Sequence, residues 1–175
     1  MSDDELEMVG KLKKGDSQSW RWLVDRYGNR LYGLARGIVG SSEDAEDVVQ
    51  ETLSGAFRSI RGFQGRASLW TWLVRILVRQ ASRRRAQARA VDRFDETDES
   101  SPSSTSGNKG VDARVDLDAA LMKLNVEHRQ ILLLREMEQM TYDEISESLE
   151  IPIGTVESRL YRARLELRRS LSEWK

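Results

Sequence analysis

Apolar residues recur three and four positions apart through most of this chain. Residues 20–38 set Trp20, Leu23, Val24, Tyr27, Leu31, Leu34 and Ile38 on one stripe, which predicts an amphipathic helix. Gly40 and Ser41-Ser42 interrupt it. Ser42 is the expected cap of a second helix over 42–60, with Glu43, Asp44 and Glu46 favourably placed near its positive end. That helix carries Ala45, Val48, Val49, Thr52, Leu53, Ala56, Phe57 and Ile60 inward. Gly62 and Gly65 mark a loop, and Ser68 opens a third helix with Leu69, Trp72, Leu73, Ile76 and Leu77 on one face. From 94 to 110 the pattern vanishes into an acidic, Ser-rich stretch that lacks the apolar surface to offset its ordering entropy. It reads as a flexible linker.

Beyond it, Leu117, Ala120, Leu121 and Leu124 return to helical spacing, followed by a helix over about 127–137 and two more over about 141–148 and 153–171. Thr141 and Glu144, three residues apart, form a capping-box signature. The fold class is therefore all-α, as two helical domains: residues 1–93, a flexible linker over 94–111, and residues 112–175. The segment 141–164 reads as helix-turn-helix. Ile145 and Leu149 point inward on its first helix and Val156, Leu160 and Ala163 on its second, Ile151 lies in the turn, and small Ser146 sits at the close approach. Thr155, Glu157, Ser158, Tyr161 and Arg162 are left on the outer face, where such a helix meets base edges in the major groove. Arg pairs with guanine, a carboxylate accepts from cytosine, and an aromatic ring contacts the thymine methyl. Arg159, Arg164 and Arg168 are expected on phosphates, which position without reading sequence.

Charge changes the picture only when it is mapped. The net formal charge is −1, with 28 Lys and Arg against 29 Asp and Glu, which by itself argues against nucleic-acid binding. The charges are segregated, however. Arg75, Arg79, Arg83, Arg84, Arg85, Arg89 and Arg93 cluster with one acid among them, and Arg159, Arg162, Arg164, Arg168 and Arg169 cluster with another. Two basic patches on a near-neutral chain are the footprint of a polyanion partner. Acids recur at Asp44, Asp47 and Glu51, a ridge that is either a solvated helix face or a docking surface for a basic partner. Trp70 falls off the apolar stripe of its helix while Trp72 fits it. Trp70 beside Phe63 and arginines then either stacks on unpaired bases or packs against another helix.

Several chemistries are disfavoured. The chain has no cysteine, so neither disulfides nor thiolate metal sites are available. His128 is the sole histidine and reads as structural, with no metal ligand set or nucleophilic dyad around it. Gly62-Phe-Gln-Gly65 lacks the Lys-Ser/Thr of a phosphate loop. No catalytic apparatus, metal or cofactor is expected. No apolar run reaches the roughly 20 residues of a bilayer span, and the acidic start does not read as a signal peptide. A cytoplasmic protein without membrane insertion is the expectation.

Asp44-Ala-Glu-Asp-Val-Val-Gln-Glu-Thr-Leu53 resembles the region 2 core of extracytoplasmic-function (ECF) RNA polymerase sigma factors. Residues 63–85, with Ser68-Leu-Trp-Thr-Trp-Leu-Val-Arg-Ile76, resemble the promoter-opening helix, and residues 124–171 resemble region 4. The resemblance implies that Asp44, Asp47, Gln50 and Glu51 dock on the β′ coiled coil of core RNA polymerase. Phe63, Trp70, Arg75, Arg79, Arg83, Arg84 and Arg85 would capture and melt the −10 element of promoter DNA. Thr155, Glu157, Ser158, Arg159, Tyr161, Arg162 and Arg164 would serve the −35 element, with the β flap as this domain's contact on the polymerase. An anti-sigma factor is a further implied partner. Arg79 and Arg83 stand where the family often has Asn and Asp, and Glu157 where it often has Lys or Arg, which implies atypical promoter preferences. The alternative reading of the residues, a stand-alone helix-turn-helix regulator acting on duplex DNA without polymerase, accounts for 141–169 alone.

Overall fold

A computed structural model of the chain describes residues 3–95 and 113–172, with side chains over 4–87 and 117–172. The linker expected at 94–111 lies outside the described residues except for its first two positions. Among the described residues every regular element is helical. The N-terminal unit holds α1 (Asp3–Lys13), α2 (Ser17–Val39), α3 (Ser42–Ser59), a 3₁₀ turn (Ile60–Gly62) and α4 (Leu69–Asp95). The C-terminal unit holds α5 (Ala113–Lys123), α6 (Val126–Leu132), a π turn (Leu133–Met137), α7 (Tyr142–Leu149) and α8 (Ile153–Ser172).

Local chemistry explains the boundaries. Asp16 caps α2 by accepting from the Ser19 amide at 2.7 Å, and Gly40 ends it at φ 87°, a left-handed conformation that favours glycine. The cap of α3 is Ser41 rather than the expected Ser42, and its hydroxyl accepts from the Asp44 amide. Ser68 accepts from the Thr71 amide at 3.0 Å and starts α4, as expected. The capping box of α7 is present in full, with the Thr141 amide donating to Glu144 at 2.8 Å. Ser146 donates to the Ile151 carbonyl at 2.6 Å and fixes the turn between α7 and α8.

Two elements depart from expectation. Helix α1 went unread because its first turns are acidic, yet Val9 and Leu12 bury against the bundle and Glu5 accepts from the Tyr27 hydroxyl at 2.7 Å. The helix expected over 127–137 breaks into α6 and a π turn, where the Glu138 amide reaches back to the Leu133 carbonyl at 3.0 Å.

The two units pack together. Buried side chains from both form one hydrophobic cluster. Helix α4 lies along α7, and α2 meets α6 and the π turn. One close approach is at Gly37 of α2, where a Cβ would stand 2.9 Å from a Leu133 methyl. A Cβ at Gly40 would stand 2.7 Å from the Met122 sulfur.

Candidate functional site

Helix α3 buries Ala45, Val48, Thr52 and Ala56 and turns Asp44, Asp47, Gln50 and Glu51 outward. Gln50 and Glu51 are exposed, and Asp44 and Asp47 are half-buried. The ridge is open but not electrostatically bare. Arg84 of α4 donates to Asp44 at 2.6 Å and lies 3.2 Å from Asp47. Hydrogen bonding to Asp44, reinforced by the surrounding acids, raises the Arg84 pKa above its usual value. Glu51 faces Arg58 at 3.8 Å.

The residues expected at the −10 element divide between core and surface. Of the two readings open for Trp70, packing against another helix holds, since it is 7% exposed; Phe63, expected on DNA, is 5% exposed. Trp70 stacks on Tyr27 at 5.9 Å and carries the Arg30 guanidinium 3.9 Å from its centroid. Trp72, expected to be buried, is half-buried and tilts against Phe63 at 5.1 Å. The apolar stripe misassigned the pair because the start of α4 is flanked on two sides, by α2 and by the loop after the 3₁₀ turn. Trp72, not Trp70, therefore lines the groove of that loop, beside Gly65, Arg66 and Arg75.

The α4 arginines are distributed among different partners. Arg75 donates to the Glu147 carboxylate at 2.8 Å and to its carbonyl at 3.1 Å. Arg79 meets Glu150 at 2.5 Å; this hydrogen bond raises the arginine pKa and lowers that of the carboxylate. Arg83 is exposed, Arg84 serves the ridge and Arg85 is half-buried. Glu147 lies on α7 and Glu150 caps its C-terminal end, so α4 faces the other unit. Sequence reasoning missed these partners, and it missed Arg30, which is held by Glu138 at 2.5 Å. The one available signal was the run of acids in 136–150, which carries no cue to its target.

Helix α8 buries Val156, Leu160 and Ala163 as expected. Its outer face presents Tyr161 at 67% exposure, with Glu157 and Arg162 exposed and Thr155 and Ser158 half-buried. Two of the three arginines expected on phosphates are held internally: Arg159 by Glu127 at 3.0 Å and Arg164 by Glu136 at 2.7 Å. Arg168 is exposed. His128 faces the Glu166 carboxylate, which also accepts from the Asn125 amide, and so ties α6 to α8. Among the described residues no cluster of three potential metal ligands occurs, and no helix is long and apolar enough to cross a membrane.

This geometry has known counterparts. Residues 23–91 match the family Sigma-70 region 2, and residues 114–167 match Sigma-70, region 4. The ECF RNA polymerase sigma-E factor of Haemophilus influenzae is 34% identical over 171 residues, covering 90% of this chain and 89% of that one. The structure of CnrH in complex with the cytosolic domain of CnrY superposes with a TM-score of 0.73 at 25% identity, covering 98% of this chain and 99% of the other. The sigma factor RpoE bound to the anti-sigma factor NepR, from Bartonella quintana, superposes with a TM-score of 0.72 at 26% identity, covering 89% and 98%. The chain belongs to the ECF RNA polymerase sigma factors.

Proposed function

We propose that this sigma factor binds core RNA polymerase through the α3 ridge and directs it to promoters, reading the −35 element with α8 and melting the −10 element along α4. The observation that carries the reading is the pairing of two Sigma-70 regions, in order, on a chain whose α3 ridge and α8 face both reach solvent. Asp44, Asp47, Gln50 and Glu51 would engage a basic surface on the β′ coiled coil, and the C-terminal unit would rest on the β flap. Glu157, Ser158, Tyr161 and Arg162 would contact base edges, with Thr155 and Arg168 near the backbone. In the N-terminal unit, Trp72 rather than Trp70 would stack on an extruded base of the non-template strand, and Arg66, Arg75, Arg79 and Arg83 would hold its backbone.

The mechanism is binding rather than bond chemistry. Melting proceeds because an unpaired base gains stacking and groove contacts that offset the few kcal/mol of unpairing. The work is done in the cytoplasm, where core polymerase resides. An anti-sigma factor is a natural regulator, since CnrH and RpoE, to which the chain is similar, are each described in complex with a protein partner. A stand-alone helix-turn-helix regulator would leave the region 2 half without a task.

The test is the double variant Asp47→Lys/Glu51→Lys. Binding to core polymerase should fall at least about a hundredfold, by analogy with paired charge reversals at interfaces. Helix content measured by circular dichroism should not change, because neither side chain packs in the core. Full-strength core binding by this variant would refute the docking assignment.

A further inference from the structure

Helices α3 and α4 pack on each other but leave a groove of about 430 Å³ between their outer edges. Asp47, Gln50 and Glu51 form one wall, and Gln80, Arg84 and Gln87 the other. One side chain bridges it. Arg84 crosses from α4 and takes two carboxylates of α3, Asp44 through Nε at 2.6 Å and Asp47 through Nη1 at 3.2 Å. Both carboxylates belong to the docking ridge. Asp44 first, then Asp47 and Glu43, raise the Arg84 pKa above its usual value, so three acids act on one guanidinium. The surface given above to a basic partner is already filled at one end by a cation of the same chain.

Position in the sequence makes Arg84 one more arginine of the basic run on α4, but its partners give it a different task. We propose that Arg84 is a built-in competitor for the docking ridge: it occupies the carboxylates of Asp44 and Asp47 until a guanidinium of the partner takes its place in the groove. The inference rests on the docking role given to the ridge above. It names the chemistry of the occupant, an arginine rather than a lysine. Arg84 reaches two carboxylates with different nitrogens of one planar group, and a guanidinium has donors spread that way where an ammonium does not. Gln50, Gln80 and Gln87 add amide carbonyls along the groove, acceptors for the donors that the carboxylates leave over.

The bridge is built to be exchanged. Its three side chains are 29–49% exposed, so water and salt screen the pairs and each is weak. Asp44 stands in the first turn of α3, whose positive end favours an anion there without help from Arg84. Exchange swaps one guanidinium for another on the same carboxylates. A partner with only diffuse positive charge gains little by displacing Arg84, whereas one that presents a matched guanidinium loses little. The competitor therefore lowers affinity and raises selectivity at one surface. Its sign is opposite to that of a scaffolding role, in which Arg84 would hold the acids in place and its loss would weaken docking.

The test measures binding of the fluorescently labelled full-length chain to core polymerase, without DNA, across a series of salt concentrations. Arg84→Gln should bind core about three- to fivefold more tightly than the wild type at low salt, the worth of one half-exposed ion pair. Its affinity should also fall more steeply as salt rises, because the ridge then carries uncompensated charge. Arg83→Gln removes the same charge one residue away, where no ion pair to the ridge forms among the described residues, and should gain much less. Arg84→Lys keeps the charge but not the two-nitrogen bridge and should fall between. In an Asp44→Asn background, Arg84→Gln should lose most of its gain. Weaker core binding by Arg84→Gln overturns the proposal, as does a gain that Arg83→Gln equals or that survives Asp44→Asn in full. The parent reading fails separately. A wild-type chain that does not bind core polymerase sinks the docking role itself, whereas wild-type binding without a gain in Arg84→Gln sinks the competitor alone.

Discussion

The two arginine-bearing helices, α4 and α8, share a composition and differ in availability. On α4, Arg75 and Arg79 are each occupied by a carboxylate of the other unit, and the groove beside them is walled by Glu147. On α8, Arg159 and Arg164 are held by acids of their own unit, while Tyr161, Arg162, Arg168 and Arg169 face solvent. The surface proposed to read duplex is open and the surface proposed to capture the strand is occupied by carboxylates. Arginine content marks where polyanions bind. Which of those places is free in the folded chain depends on acids far away in sequence.

The strongest way to break this comparison is at Arg162. An exposed side chain that reads a base edge should matter for DNA and not for folding. Arg162→Ala in the assembled holoenzyme should cost about 1–3 kcal/mol of promoter affinity, and most of the loss should sit at one base position of the −35 element. Thermal stability should stay within error, since exposed substitutions away from packing are close to neutral. Arg159→Ala is the contrast, because it removes a partner of Glu127 and should change stability as well as binding. Equal effects of the two variants on both readouts would erase the distinction between open and occupied arginines.

A smaller effect is expected at a contact between the two units. Gly37 admits the Leu133 side chain against α2, and a Cβ there would stand 2.9 Å from a methyl. Alanine is accommodated by rotating Leu133, but Gly37→Phe is not, and it should separate the units without unfolding either. The chain has no cysteine, so dyes can be placed at Ser59→Cys and Ser172→Cys without other changes. Energy transfer between them should fall in Gly37→Phe. Helix content should not drop, since glycine inside a helix costs about 1 kcal/mol relative to other residues. Undiminished energy transfer would show that Gly37 is not where the units are held.

Most of the fold was legible because it is local. Helical stripes, the Thr141–Glu144 capping box and the turn at Ser146 are written within a few residues of one another. The ridge was legible for the same reason: Asp44, Asp47 and Glu51 share a face by spacing alone. What escaped was set by distant packing. The two readings of Trp70 could not be separated because the residues that cover it, Tyr27 and Arg30, lie about forty positions upstream on another helix. Helix α1 hid behind its acids. The pairing across the units was invisible because Glu138, Glu147 and Glu150 look like ordinary surface residues until the units are placed side by side.

The smallest expected effect concerns a charge trapped where the units meet. Arg129 of α6 is 4% exposed, its Nε finds no acceptor, and Arg85 of α4 repels it across the junction. Burial first, and Arg85 second, lower its pKa to about 10, which still leaves it charged at neutral pH. Replacing a buried charge with an apolar side chain of similar length is often stabilising by about 1 kcal/mol or more. Arg129→Met should therefore raise Tm by about 2–4 °C. The pH dependence gives the sign. The folded chain holds this proton less tightly than the unfolded chain, so the wild type gains stability as pH rises from about 10 toward the ordinary arginine value. The Tm gap between variant and wild type should then narrow in that window. A lower Tm for Arg129→Met would mean that the guanidinium binds more than it costs, and the junction would owe part of its hold to Arg129.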